Sequence, residues 1–478
     1  MLRRLLGVGA LLVFIATSFV ISAPSVPLGD KLFANQVKVN PKDLELVCSG
    51  SFYRSGADTG ATVNTFSQIG SAALSGHFES SATSSLKVTD FGGGLVGHNP
   101  SGTAVTPLEI TASGSNLIQG SKLLNANQIQ LVNDSRAAGL LAAPCLRAES
   151  DFWMLAADTS VGRESLLILN NPGSVNATVS IETFGTGGKI PAAGQGGISV
   201  PAKGSTVVPI ASLAPGLQTL ALHVRSSSSA ITATLQQKTV RGLVAAGADW
   251  SVASSVIGKD LVIPGFLVRG VKALSKLRAS SSDYGDLSPV LRIFVPGNAK
   301  TNATITAQVV GTNAKTFGTV VRLQVAPGTV TDVPLNGLQD GDYSVLITSD
   351  QELRAAVRIS RAKLDAKPAT DFTWIQAATP ISRAVGITIP SVGISKLSIV
   401  NGNKSVATVN LVVNGVSSAI AVPSGNSVTV SVPNSASVAL SSNLPLGANL
   451  IVDVNYSIAN LPFVDYENVG SLKRVLVR

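Results

Sequence analysis

The stretch SLLILNNPG, Ser165 to Gly173, decides the fold. It is a short apolar run closed by Asn-Asn-Pro-Gly, and apolar runs of this length bounded by turn residues read as buried strands. The same grammar returns in VLRIFVPGN, Val290 to Asn298, and in KLSIVNGN, Lys396 to Asn403. Each copy is followed by a second strand-like run: VNATVSIETFG, TNATITAQVVG and SVATVNLVVNG. The chain therefore carries a repeat, and the repeat is a β-unit.

Working outward, turn signals recur every ~8–12 residues around each copy, the spacing expected of a sandwich or barrel. A further strand leads into each unit and runs toward a Pro or Cys: LLAAPCL, DLVIPGF and GITIPSV, with LELVCSGSF as a weaker fourth copy. Asp350-Gln351-Glu352 stands where the first copy has Ser226 to Ser229, so a turn is expected at both places. Gln128 to Val132 and Gly139 to Ala143 read as strands, although Asn125 to Leu141 is also the nearest candidate for a short helix. The expected fold is all-β: tandem immunoglobulin-like β-sandwich domains after a single N-terminal transmembrane helix. The expected boundaries are 1–23 for the anchor or signal peptide, 24–43 for a spacer, 44–147 for a first β-rich region, and 148–255, 256–380 and 381–478 for three repeats. In this reading the units follow one another as a rod, either straight or folded back.

Composition agrees. Of 478 residues, 45% are hydrophobic and only 13% charged, enough apolar material for several cores and too much for a disordered chain. β-Branched residues alternate with small polar ones, which suits a pleated surface better than a helix.

Arg3 and Arg4 precede an uncharged apolar run from Leu5 to Ala23. At ~1.5 Å per residue it approaches the thickness of one bilayer core. The flanking arginines orient it with the rest of the chain outside the cytoplasm. The run is long for a signal peptide, and Pro24 is a poor residue after a cleavage site, so an uncleaved anchor is favoured over a secreted, processed chain. The expected localisation is the cell membrane with an extracytoplasmic C-terminal portion. The two cysteines, Cys48 and Cys145, read as one disulfide in an oxidising compartment.

Each candidate site also has a blander structural role. Trp153, Trp250 and Trp374 stand at repeat boundaries, as platforms for a sugar ring or as plugs between neighbouring sandwiches. The net charge of +9 is thinly spread. Its mild concentration at Lys259, Arg269, Lys272, Lys276 and Arg278 is a candidate contact for an anionic polymer. No aromatic-interleaved basic patch marks nucleic acid. Catalytic signatures are missing: no G-x-S-x-G, H-E-x-x-H or P-loop occurs. The S-x-x-K matches at Ser84 and Ser360 lie in strand text, where a helix start is needed. Asp283 with Asp286 and Asp340 with Asp342 read as turn caps, with calcium as the alternative. No cofactor and no metal site is expected.

LVCSGSF, APCLRAESDFW, the SLLILNNPG unit and a close in GADW together resemble an uncharacterised family of exported actinobacterial proteins, a domain of unknown function. The resemblance runs from Cys48 to Trp250 most strongly and implies cell-envelope biology, with paired cysteines around the first region. It supplies no activity. The expected function is a non-enzymatic extracytoplasmic scaffold or interaction protein. Its partner would be an envelope protein or wall polymer, and its N-terminal segment would contact the membrane. The alternatives are a cell-wall glycan or anionic-polymer binding protein and, last, an unrecognised enzyme.

Overall fold

The structure is a computed structural model that describes residues 33–37, 43–56, 65–78, 86–112, 124–254, 256–312, 318–364, 369–464 and 473–477. It divides into two units. In the first, Met1–Pro41 with Val469–Arg478, the strands Phe33–Val37 and Lys473–Val477 pair antiparallel. The second, Lys42–Asn468, holds all other described elements. Leu5 to Ala23 lies outside the described residues. Among those described, no helix is long and apolar enough to cross a membrane.

The opening stretch forms the strand Arg163–Asn171, central in its sheet and paired on one side with Gly204–Pro209 and on the other with Thr232–Arg241. Side chains alternate across a strand. Leu167 and Leu169 enter the core of their own sandwich, whereas Leu166 and Ile168 pack on Tyr53 of the first region. Both faces are covered, which is why the run is continuously apolar. Asn171 then fastens the turn. Its amide donates to Val175 O (2.8 Å) and Val200 O (3.1 Å) and accepts from Gly173 N (2.9 Å). Asn401 repeats this toward Ser405 O, Val422 O and Asn403 N.

Around this strand, two antiparallel sheets form a sandwich. Counted in chain order, with the short edge segments Gly188–Ile190 and Ile198–Val200 taken together as the fourth, the first strand pairs the sixth, the sixth the third and the third the fourth. In the other sheet the order is fifth, second, seventh, eighth. The same order recurs four times along the chain. The first region is thus a fourth sandwich, with one extra hairpin, Phe52–Ser55 with Phe66–Ile69. In the third sandwich the sixth and seventh strands are one 23-residue strand, Gly341–Lys363, that passes from one sheet into the other. Asp350 to Glu352 is therefore strand, where a turn was expected. Asn125 to Leu141 is also strand: Leu124–Asn133 and Ala138–Pro144 pair antiparallel. The helix lies elsewhere, at Val271–Ser280, with Leu274 and Leu277 buried. LLAAPCL ends the first sandwich instead of opening the second, whose first strand is Asp151–Ala157.

Cys48 and Cys145 form the disulfide, 97 residues apart, tying the first strand of the first sandwich to the end of its last. Closing a loop of that length stabilises by about 4–5 kcal/mol in the chain-entropy account.

The sandwiches do not form a rod. The core of the second takes in Phe294, Phe372 and Trp374 from the third. The core of the third takes Ile451 and Ile458 from the fourth, and that of the fourth takes Ile129, Leu140 and Ala142 from the first. A shared cluster of Leu141, Ala143, Ala248 and Trp250 joins the first to the second. The cycle closes into a ring. At its centre lie the four closing strands, the last of each sandwich: Ala138–Pro144, Val244–Val252, Ala369–Gln376 and Ser457–Pro462.

Candidate functional site

The axis of the ring is held by one carboxylate. Asp371 Oδ2 accepts from Leu140 N (2.9 Å) and Ile458 N (3.0 Å), and Oδ1 from Phe372 N (2.9 Å) and Ala248 N (3.2 Å). One side chain therefore binds the backbone of all four closing strands. Four N–H donors reach its two oxygens, a pattern that favours the ionised form. Burial outweighs them and pushes the carboxyl up to about 8. The neighbouring strands carry glycine to make room. A Cβ on Gly139 would lie 2.6 Å from Asp371 Oδ1, and one on Gly247 (φ +126°) 2.6 Å from Phe372 Cδ1.

One step along the axis, Asp249 accepts from Thr373 Oγ1, Trp374 N and Ser251 Oγ, each at 3.0 Å. Burial pushes its carboxyl up to about 6. Asn460 continues the chain, donating to Thr373 Oγ1 and Trp374 O. Trp250 and Trp374 are both buried. Their indole N–H groups donate to Gln236 (3.3 Å) and Gln237 (3.1 Å). Neither ring is open to a ligand. Arg292, buried under the Trp374 ring at 4.5 Å, crosses from the third sandwich to the second. It donates to Leu155 O, Ala157 O, Leu220 O and Gln218 O, and its charge is met by Asp332.

At one end of the axis the ring opens into a cavity of about 250 Å³. Its wall is made by residues that end or follow each closing strand: Leu146, Ser254, Gln376 and Phe463, one from each sandwich or the segment after it. Trp153 reaches this mouth, but its ring is already stacked on His223 (4.1 Å) and Phe294 (4.6 Å). Arg354 donates to Ser254 O (2.5 Å) and Val256 O (3.2 Å), while its Nε is buried with no partner among the described residues. Burial lowers the Arg354 pKa, against the pull of Asp151. Burial raises Glu149, which Arg147 opposes and Asp151 reinforces. Both amide atoms of Gln376 are buried from solvent, without a partner among the described residues.

Of the basic residues, Arg269, Lys272, Lys276 and Arg278 lie on or just before the helix Val271–Ser280, and Lys259 stands apart. Lys259 opens the strand Gly258–Val268 and Arg269 follows its end, roughly 30 Å away at ~3.3 Å per residue. Arg269 pairs with Asp342, and Arg278 is engaged by Ser288 and Ser275. Lys259, Lys272 and Lys276 are exposed. Of the paired acids, Asp340 accepts from Val271 N at the start of the helix. Asp286 instead gathers Arg163 (2.7 Å), Arg241 (2.7 Å) and Arg358 (3.1 Å). Among the described residues, no group of His, Cys, Asp and Glu is arranged to hold a metal.

A family profile matches residues 96–399, well over half of the chain. The chain belongs to DUF5719, a family of unknown function. Comparison with curated proteins finds no match. Solved structures similar to this DUF5719 chain include a biofilm associated protein, BSP domain (10% identity, 94% of this chain and 100% of that one, TM-score 0.13). A tetra-tandem repeat from the extending region of a large adhesion protein also matches (12%, 84% and 94%, TM-score 0.11). So does a Ca2+-stabilized adhesin of an Antarctic bacterium (10%, 89% and 94%, TM-score 0.10). Superpositions this poor establish no shared fold.

In this DUF5719 member, Trp153 is legible in the sequence as a site residue, whereas Arg354, Gln376, Glu149 and Asp151 beside it are not. The available signal was polarity inside strand text, as in Ile375-Gln376-Ala377, where a strand with two buried neighbours carries an amide that nothing local satisfies.

Proposed function

We propose that this chain is a non-enzymatic extracytoplasmic scaffold or interaction protein of the cell envelope: a rigid ring that holds one binding mouth. The observation that carries the reading is the mouth itself, to which all four sandwiches contribute, so ring closure and binding surface are one construction. The acids that attract attention in the sequence act as fasteners. Asp371 and Asp286 each gather donors from several strands, and Asp249 joins its own strand to its neighbour. The disulfide fits an exported chain, and the Leu5–Ala23 run would hold it at the membrane with the ring outside. We class the sandwiches as immunoglobulin-like on the pairing of second with fifth strand, with the first strand moved beside the sixth.

The test is affinity capture of the tagged full-length protein from its own cells after mild crosslinking, analysed for proteins and glycans. Near-stoichiometric recovery of one envelope protein supports the scaffold. Wall polymer alone, released by salt, moves the reading to polymer binding. Soluble products released when the pure protein is incubated with wall material would overturn the non-enzymatic reading.

A further inference from the structure

We propose that the end of the ring opposite the mouth binds a polymer with a phosphodiester backbone, through a basic groove between the third and fourth sandwiches and the helix beside it. The proposal goes beyond the reading of the mouth and does not depend on it. The groove has a volume of about 830 Å³. Arg269, Arg361 and Lys363 line it from the third sandwich, and Lys396, Asp453 and Tyr456 from the fourth. Gly270 also lines it, so the helix Val271–Ser280 starts at its rim. Leu274 and Leu277 pack that helix against Ala362, which leaves Lys272 and Lys276 exposed together on one face. The two lysines stand about 6 Å apart along the helix axis, comparable to the repeat of an extended phosphodiester chain.

Charge selects the ligand. Six cations, Arg269, Lys272, Lys276, Arg361, Lys363 and Lys396, stand here against three carboxylates among the described residues, Asp340, Asp342 and Asp453. The arginines are committed: Arg361 is buried on Asp453, and Arg269 pairs with Asp342. The lysines therefore carry the surplus. Lys396 lies 3.6 Å from Asp342 with both side chains partly exposed, a weak contact that a ligand phosphate can replace. An ammonium is a point charge without a planar fork, which suits the tetrahedral oxygens of a phosphate better than a planar carboxylate. Ile394, 65% exposed at the groove, and Tyr456 offer apolar surface to the carbon links between phosphates.

Position distinguishes a polymer from a lipid surface. Asn455 and Tyr456 turn the chain into the fourth closing strand, Ser457–Pro462, whose far end lines the mouth. The groove thus lies about one strand length, roughly 20 Å, from the mouth. At the mouth, Val47 of the ring's first strand pairs with Leu146, and Val464, the last described residue of the ring, lines the wall. Both chain ends of the ring leave on that side. The groove faces away from the segment that would hold the chain at a membrane, toward polymer beyond it.

The experiment is fluorescence anisotropy of the full-length protein with labelled inorganic polyphosphate and labelled poly(glycerol phosphate), across a salt series. Dextran, hyaluronate and phosphatidylglycerol vesicles serve as comparison probes. With four lysines engaged, log Kd is expected to rise with log salt at a slope of about 3, so affinity drops roughly fiftyfold between about 50 mM and about 200 mM salt. Lys272→Gln with Lys276→Gln, and separately Lys363→Gln with Lys396→Gln, are each expected to halve that slope and to weaken binding roughly tenfold or more at about 100 mM salt. Their melting temperatures should match the wild type. Lys259→Gln with Lys300→Gln removes the same charge elsewhere on the third sandwich and is expected to bind as the wild type does. An equal loss in this control overturns the site in favour of net charge alone. Absence of binding to both phosphate polymers at low salt overturns the proposal, as does binding that the two groove pairs leave intact. Equal binding of hyaluronate overturns the phosphate class, and binding of vesicles alone overturns the polymer.

Discussion

At the residue scale the molecule depends on carboxylates placed where the chain has no other acceptor. Asp371 serves four strands at once, so its replacement is not a local event. Asn at this position keeps the shape but turns one oxygen into an NH₂ that faces two backbone donors. Asp371→Asn is therefore expected to destabilise by about 3–5 kcal/mol, the range for leaving buried polar partners uncompensated, read as a lowered urea midpoint. A loss below about 1 kcal/mol would mean that the hub is incidental. Asp286 gives a pH signature. Burial alone would raise its pKa, but Arg358, Arg163 and Arg241 outweigh burial and hold it well below the ordinary 3.8. A depressed folded pKa contributes stability that is complete above the unfolded value and is lost as pH falls toward the folded one. The wild-type midpoint should therefore drop steeply below about pH 4. Asp286→Asn should start lower, by about 3 kcal/mol, because it strands three arginines, and should show a flatter acid limb. Parallel acid limbs in the two proteins would contradict the assignment.

At the scale of elements, the sequence shows most of the strands and misses three of the four at the centre. The apolar runs at Ser165, Val290 and Lys396 were legible because each is a central strand with hydrophobic contacts on both faces. Three of the four closing strands were not. GADWS and TDFTW mix glycine, acid and aromatic residues, a composition that periodicity assigns to a turn or a boundary. Their polar side chains are satisfied by other sandwiches, as Asp249 is by Thr373 and Trp374, and no local pattern records a partner more than a hundred residues away. The strand Gly341–Lys363 was divided for a similar reason: its polar middle looks like the serine turn of the second sandwich, yet it stays extended between two sheets. Trp153 was legible as a boundary residue, but the amide and guanidinium beside it needed the ring to bring them together. The same logic makes Arg292 an inter-element fastener. Its guanidinium spans four carbonyls of the second sandwich and one carboxylate of the third. Arg292→Lys keeps the charge, but an ammonium has three donors and no planar fork. The exchange is expected to lower stability by about 2–4 kcal/mol, measured by chemical denaturation. A neutral outcome would show that the carbonyls are equally well served by water.

At the scale of the whole molecule, the question is whether four sandwiches behave as beads or as one body. Beads on a rod share little core, so each would melt by itself and a cut between two of them would free the end. Here every core borrows side chains from its neighbour around the cycle. The fourth sandwich is gripped on both sides. Arg361 pairs with Asp453 toward the third, and Asn127 and Asn125 meet Thr388 toward the first. Gly265 sits so close to the fourth sandwich that a Cβ would fall 2.1 Å from Ser398. The decisive test is to open the covalent connection while leaving the contacts. A specific protease site placed at the exposed Ser382 and Arg383 cuts the chain between the third and fourth sandwiches. In a ring the two pieces remain bound through both neighbours, elute together on size exclusion under native conditions and separate only in denaturant. They should also still melt in one transition, because the axis at Asp371 counts Ile458 among its donors. Elution of a free fourth sandwich after the cut would return the molecule to a rod and dissolve the mouth, since Phe463 would leave with it.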